Sequence, residues 1–129
     1  MISDSILQLA IKTAKSSPSK KKIGAVLLRK SKVIVTATNL EKKTHPLQAF
    51  LAEKVGLGEK IYLHAEVNCL IRSKENADTI VVARVGGHGT KELRMSKPCP
   101  ICQMALEMNN IKRVIYSTND GFLQQWNHS

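Results

Sequence analysis

Two short segments of this sequence combine residues that bind metal with one residue that carries protons. Residues 64–66 read His-Ala-Glu, and residues 98–102 read Pro-Cys-Pro-Ile-Cys. Zinc prefers nitrogen and thiolate ligands, and a catalytic zinc site needs three protein ligands, an open fourth position and a nearby proton carrier. The two segments together predict hydrolytic chemistry at a metal bound by His64, Cys99 and Cys102, with Glu66 beside it.

The spacing within each segment predicts that it lies at the start of a helix. Cys99 and Cys102 are three residues apart, so the first turn of a helix would bring both sulfurs to one side. The flanking prolines fit such a start, because a missing backbone N–H costs little there. His64 and Glu66 are two residues apart, roughly 200° around an ideal helix, so they can share a site only where the helix begins.

Cys69 is the alternative that would make the zinc site structural, because it could supply a fourth ligand. It lies five residues after His64 and would face away from it, so we expect a small buried side chain instead. The alternative is that Cys99 and Cys102 are only a pair of buried thiols. That alternative would not explain the His-x-Glu segment at residues 64–66. We therefore interpret the site as catalytic.

Composition limits the class of protein further. The chain has 129 residues, 43% of them hydrophobic, which predicts one domain over residues 1–129. Its apolar runs fall short of the ~20 residues that span a bilayer, so we expect no membrane segment. Three cysteines, two of them in a Cys-x-x-Cys pair, favour a reducing, cytoplasmic setting over a disulfide framework. The net charge of +10 favours a phosphorylated or polyanionic partner.

Apolar periodicity predicts alternating helices and strands. Two helices, with Asp4 as the N-cap of the first, flank a hairpin and a polar loop at residues 39–45. A turn at residues 119–121 should return the last strand antiparallel. The pattern predicts an α/β fold with a mixed sheet covered by helices. The predicted elements are Asp4–Ala14, Ile23–Leu28, Val33–Thr38, Pro46–Val55, His64–Arg72, Thr79–Val85, Cys99–Met108, Arg113–Ser117 and Phe122–Trp126.

His64, Glu66 and the cysteine segment match the pattern His-x-Glu…Pro-Cys-x-x-Cys of zinc-dependent nucleobase deaminases. The chain resembles the cytidine/deoxycytidylate deaminase superfamily, which also includes tRNA adenosine deaminases and enzymes that edit polynucleotides. The hairpin at residues 23–38 and Asn39 after it resemble the family's first hairpin, and the resemblance covers approximately residues 4–118. It implies a single-domain three-layer α/β/α sandwich with a mixed sheet of four to five strands.

The resemblance also implies roles for individual residues. His64, Cys99 and Cys102 bind Zn2+, and Glu66 is catalytic, moving protons between water, a ring nitrogen and the departing ammonia. The Ala65 backbone N–H helps to orient the base. Asn39 contacts sugar or base, with a simple turn residue as the alternative.

Two further residues are predicted to bind substrate. His45 follows Lys42 and Lys43 in a loop expected to border the pocket, where they could hold a sugar-phosphate; a surface histidine is the simpler alternative. Tyr62 precedes the metal motif, and a base could stack on it, although core packing is the commoner use of such a tyrosine.

Three functions fit these residues. The first is a zinc-dependent deaminase of a free cytosine nucleotide or nucleoside, with dCMP or CMP favoured. The second is a deaminase of cytosine or adenine in single-stranded DNA or RNA, in which the Ser16–Lys22 loop would rim the pocket and follow the phosphate backbone. The third is a non-catalytic zinc-stabilised binding module, against which Glu66 argues, because a structural site needs no proton carrier.

The resemblance adds expectations about branch and assembly. A histidine as the first ligand resembles the deoxycytidylate, tRNA and polynucleotide branches. The tRNA and polynucleotide branches carry an additional helix and parallel strand, for which the sequence after Ser117 leaves little room. Relatives commonly form homo-oligomers, so we expect a homo-oligomer with contacts through Leu106, Met108 or Trp126. His88 and His128 are assigned no catalytic role.

Overall fold

Helices and strands alternate along the chain as the apolar periodicity predicts. The computed structural model describes residues 2–58, 62–87 and 92–127. Within these ranges, no helix has both the length and the apolar character needed to cross a membrane. The elements in chain order are α1 (Asp4–Lys15), β1 (Lys22–Arg29), β2 (Lys32–Thr38), β3 (Leu40–Thr44), α2 (Pro46–Lys54), β4 (Tyr62–Leu63), α3 (Ala65–Arg72), β5 (Thr79–Gly86), β6 (Glu92–Arg94), α4 (Pro100–Met108), β7 (Arg113–Thr118) and β8 (Gly121–Trp126).

The main sheet is mixed, which confirms the predicted fold class. Five strands lie in the order β2-β1-β5-β7-β8, and β6 pairs with β5 beyond this row. β1 is antiparallel to β2 and β5, β5 is parallel to β7, and β8 returns antiparallel to β7. The described part of the sheet therefore has six strands instead of four to five, because the three-residue β6 is too short to show a periodic pattern.

Alternate side chains of the central strands enter two separate cores. In β1, Ala25 and Leu27 pack with α3 and α4 on one face, while Val26 and Leu28 pack with α1 on the other. This two-residue period is what a strand imposes on a sequence that is apolar at every position. The result is a three-layer arrangement, with the sheet between α1 and the pair α3 and α4.

Helix α1 lies directly against the backbone of β1 at Gly24. A Cβ atom at this position would lie 2.4 Å from the backbone nitrogen of Ala14, so a larger residue cannot be accommodated without moving the helix. The close contact fixes the end of α1 beside the start of β1. It thereby places the Ser16–Lys22 connection at one end of the sheet.

Two local predictions are wrong. Residues 39–45 are not a polar loop, because Leu40–Thr44 form β3 and pair with Tyr62–Leu63 in a separate two-stranded sheet. The strand partner lies about twenty residues later, and the exposed side chains of β3 show no alternation that would reveal a strand. Asp4 is not the N-cap of α1 either: Ser3 occupies that position, and Asp4 lies in the first turn.

The three residues predicted to make contacts between copies of the chain differ in their exposure to solvent. Leu106 is fully buried between α4 and the sheet, so the prediction of a surface contact there is wrong. Met108, at the end of the same helix, is 59% exposed, and Trp126 on β8 is 57% exposed. The helical pattern identified the apolar residues of α4 without distinguishing which of them face outward.

The helices that carry the two motifs begin at the same end of the sheet. One open cavity there is bordered by Ile23 at the start of β1, Asn39 just after β2 and Arg84 near the end of β5. His64 and Cys99, which immediately precede α3 and α4, line the same cavity. The fold therefore brings both halves of the predicted metal site together from residues 35 positions apart in sequence.

Candidate active site

His64 and Cys99 occupy the N-cap positions of α3 and α4. Both have extended backbones, with φ −79° and ψ 155° at His64 and φ −70° and ψ 169° at Cys99. Because an N-cap residue lies outside helical geometry, the side chains of His64 and Glu66 can reach the same cavity despite their spacing. Both motifs therefore open helices, as their spacing predicts.

The three predicted metal ligands converge. Nδ1 of His64 lies 3.2 Å from Sγ of Cys102 and 3.5 Å from Sγ of Cys99. All three donor atoms lie within 4.8 Å of one another. Tetrahedral zinc, with bonds of about 2.0–2.3 Å to nitrogen and sulfur, separates its ligand atoms by roughly 3.5 Å. The donor chemistry and the spacing both fit Zn2+, with three protein ligands among the described residues.

The two cysteines differ in their affinity for protons. A hydrogen bond from the Cys102 thiol lowers the pKa of Cys99 to about 4, an effect that outweighs the opposing influence of burial. The same hydrogen bond, together with burial, raises the pKa of Cys102. The lowered pKa favours the thiolate of Cys99, the form of cysteine that binds metal, and Cys102 would have to lose its proton to act as a ligand.

Cys69 lies apart from this cluster. Its side chain is fully buried, and its thiol donates a hydrogen bond of 3.3 Å to the carbonyl oxygen of Ala25 in β1. Burial raises the pKa of the thiol, so Cys69 stays protonated at neutral pH. The expectation of a small buried side chain is confirmed.

Glu66 lies in the first turn of α3 and lines the cavity beside His64 and Cys99. Only 6% of the residue is exposed, and this burial raises the pKa of the carboxyl group, while the nearby charge of His64 opposes the rise. A carboxyl group whose pKa is moved toward neutrality can both accept and release a proton. The position and environment of Glu66 are compatible with its predicted role as a proton carrier beside the metal ligands.

Asn39 is one of the residues that line the cavity. Its Oδ1 atom accepts hydrogen bonds from the Ser17 hydroxyl at 2.7 Å and the Ile23 backbone N–H at 3.2 Å. Its Nδ2 atom donates to the carbonyl oxygen of Lys21 at 2.8 Å. An amide nitrogen carries two hydrogens, so one donor remains after these contacts. Asn39 is thus fixed by the fold, and these contacts use one of its two amide hydrogens.

Tyr62 and Ala65 flank His64. The ring of Tyr62 packs against the His64 imidazole, with centroids 4.8 Å apart and an angle of 36° between the planes, and Tyr62 also lines the cavity. It therefore supports the metal ligand from one side. Ala65 is buried as the first residue of α3, where a helix leaves backbone N–H groups without intrahelical acceptors.

His45 is not one of the residues that line this cavity. It is the N-cap of α2, where its Nδ1 atom accepts a hydrogen bond of 3.0 Å from the backbone N–H of Leu47. The cavity wall described above contains neither His45 nor Lys42 and Lys43 of β3. His88 and His128 lie outside the described residues.

Gln48, which belongs to neither motif, supports the backbone of the metal ligand His64. Gln48 is fully buried in α2, and its Oε1 atom accepts a hydrogen bond of 3.3 Å from the backbone N–H of His64. A signal was present: Gln48 precedes the buried residues Leu51 and Ala52 by three and four positions, so it occupies the inward face of the helix. A buried polar side chain requires a hydrogen-bond partner, and the backbone N–H of His64 is that partner.

We expect Gln48→Leu to weaken zinc binding about 10- to 100-fold, because residues that orient metal ligands typically contribute that much. Competition with a chromophoric chelator would measure the affinity. Gln8→Leu is the control: Gln8 is an exposed residue of α1, which packs on the opposite face of the sheet from α3 and α4. Equal zinc affinity of the two variants would show that Gln48 has no positioning role.

Comparison with known families agrees with this geometry. The family model described as the cytidine and deoxycytidylate deaminase zinc-binding region matches residues 2–118. No curated protein matches the chain. The matched region contains the complete His64–Cys99–Cys102 cluster, and both findings indicate Zn2+ as the cofactor. Since the match extends over most of its length, the chain belongs to the cytidine and deoxycytidylate deaminase family.

Proposed function

We propose that this protein hydrolytically deaminates a free cytosine nucleotide or nucleoside, with dCMP or CMP as the favoured substrate and the uracil product and ammonia released. One observation carries the proposal: Glu66, the ligands His64 and Cys99, and the partly free amide of Asn39 all line a single open cavity. A base that enters this cavity meets a proton carrier and a metal site, while its sugar lies within reach of Asn39.

The residues of the chain divide the work of the reaction. Zinc bound by His64, Cys99 and Cys102 supplies a Lewis acid that makes water a nucleophile at neutral pH. Glu66 takes a proton from the attacking water and delivers it to N3 of the cytosine ring. It then transfers the second proton of the water to the departing amine, so that cytosine and water yield uracil and ammonia. The remaining N–H of Asn39 and the backbone N–H of Ala65 orient the nucleotide.

Two structural features favour a free nucleotide over a strand. β8 returns antiparallel to β7 through the turn at residues 119–120, where the resemblance places an added helix and parallel strand in the tRNA and polynucleotide branches. Tyr62 is the one tyrosine, tryptophan or phenylalanine among the described residues of the cavity wall. A surface that binds single strands stacks successive bases on several aromatic side chains.

A polynucleotide substrate is the second candidate, supported by the basic Ser16–Lys22 connection. Lys21 from this segment lines the cavity, as expected for a rim that would follow a phosphate backbone. The Glu41 carboxylate accepts hydrogen bonds from the backbone of Lys20 and Lys21, and it places a negative charge in the same wall, which would repel a phosphate backbone.

For assembly, exposed Met108 and Trp126 are available for the contacts between copies of the chain that the resemblance implies.

Product mass analysis with a mixed substrate panel tests the proposal. Zinc-loaded protein would be incubated with cytidine, deoxycytidine, CMP, dCMP, adenosine, single-stranded DNA and a tRNA stem-loop, with Glu66→Ala as the control. We expect a mass change of the free cytosine compounds that is absent with the variant. Conversion confined to DNA or RNA strands would establish the second candidate, and the absence of any product would overturn both.

A further inference from the structure

Three cationic side chains line the active-site cavity: Lys21, Arg84 and Lys97. Among the described residues, Arg94 forms an ion pair with Glu92 at 2.6 Å, whereas Arg84, its cross-strand neighbour, forms none. Arg84 is partly buried, and it lines the wall of the cavity. A guanidinium in such a place is available to an anionic part of the ligand.

A buried pair of hydroxyls connects Arg84 to Lys97. The Ser117 Oγ atom accepts a hydrogen bond of 2.9 Å from the backbone N–H of Arg84 and donates one of 2.7 Å to the carbonyl oxygen of Arg94. The hydroxyl of Ser96, the neighbour of Lys97, donates to the carbonyl oxygen of Val82 and accepts a hydrogen bond of 2.9 Å from the backbone N–H of Ser117. The backbone N–H of Ser96 donates in turn to the carbonyl oxygen of Ser117. Ser117 is fully buried, and only 8% of Ser96 is exposed.

These contacts hold the residues before the zinc-binding segment firmly against β5 and β7. Lys97 lies two residues before Cys99, so the backbone that positions a metal ligand also positions this cation. Arg84 is positioned by its place in β5, opposite Ile23 of β1. The backbones that carry the two cations are therefore fixed relative to each other and to the metal site.

We propose that Arg84 and Lys97 form a subsite for the phosphate group of a mononucleotide, an assignment that rests on the proposed function. A guanidinium binds two phosphate oxygens at once through its planar fork, and an ammonium adds a second positive charge. Both cations share a cavity with Glu66, so one nucleotide can place its base at the metal and its phosphate at this subsite. Arg84 and Lys97 thus replace Lys42, Lys43 and His45 as the phosphate ligands.

The test compares dCMP with deoxycytidine, which differ only by the phosphate. The quantity measured is kcat/KM for each substrate with the wild-type protein, Arg84→Gln and Lys97→Gln. Each substitution should lower kcat/KM for dCMP about 10- to 100-fold, mainly through KM, because each removes a charged hydrogen bond to the phosphate. The value for deoxycytidine should stay unchanged.

Matched control variants are present in the same region. Arg94→Gln removes an arginine that is paired with Glu92 of the same strand, β6, and Lys42→Gln removes an exposed lysine of β3. Both should leave the preference for dCMP intact. Equal losses with dCMP and deoxycytidine, or full dCMP activity in the two subsite variants, would overturn the proposal.

A binding measurement separates failure of the subsite from failure of the reaction. Calorimetry with zinc-loaded Glu66→Ala protein would compare dCMP with deoxycytidine, and would then repeat the comparison after adding Arg84→Gln. Tighter dCMP binding that the added substitution removes would support the subsite even if no turnover occurs. Equal binding of the two compounds would overturn it, as would affinity for single-stranded DNA without measurable affinity for dCMP.

Discussion

Glu66→Gln should abolish deamination while the protein remains folded and loaded with zinc. The amide has the size of the carboxyl group but cannot take a proton from water or return it to the substrate. General acid–base catalysis typically contributes a factor of about 10²–10⁴, so we expect a loss of this size in kcat. Because Glu66 is buried in the first turn of α3, another group cannot easily take over its proton transfer in the variant. Ammonia release under saturating substrate would measure the effect.

Glu41→Gln provides the control for this experiment. Glu41 lines the same cavity, but its carboxylate accepts hydrogen bonds of 3.3 Å from the backbone N–H groups of Lys20 and Lys21. We expect it to lose less than tenfold in kcat, because it lies on the exposed rim and not beside the metal ligands. If Glu66→Gln kept a tenth or more of the wild-type rate at full zinc content, Glu66 would not be the proton carrier.

Cys102→Ser should remove zinc from the protein, and with it both activity and part of the stability. Cys102 is fully buried and supplies one of the three protein ligands found among residues 2–58, 62–87 and 92–127, so its loss leaves too few donors for tight binding. A ligand present at a thousand times its Kd stabilises the folded state by about 4 kcal/mol. The variant should forgo this stabilisation, and its melting temperature should no longer respond to a chelator.

Cys69→Ser is a closely matched control, since it is the same substitution at another fully buried thiol. Cys69 bonds to the carbonyl oxygen of Ala25, and a serine hydroxyl can make the same bond. Elemental analysis should therefore find one zinc ion per chain in Cys69→Ser and almost none in Cys102→Ser. Retention of zinc by Cys102→Ser, or its loss from Cys69→Ser, would contradict the assigned ligand set.

Much of the fold could be predicted from the sequence, because the main helices and strands each have a local sequence pattern. Thr79–Gly86 is apolar at nearly every position, and a strand buried on both faces must be so. The metal site could be predicted in the same way, because both of its segments begin helices and each has a spacing that the first turn of a helix requires. Residue types and spacing thus determined the zinc ligands, the neighbouring carboxylate and the order of the main helices and strands.

Only the tertiary structure decided what surrounds the metal, because those contacts join segments that no local pattern connects. Exposed β3 is a strand only through its pairing with Tyr62–Leu63. His45 caps a helix, whereas Gln48, three residues later, reaches the zinc ligand His64. Arg84 gains its place in the cavity from strand pairing and from the buried hydroxyl of Ser117. Sequence spacing can specify which groups bind a metal, but the packing of distant strands and helices decides which other side chains face the substrate.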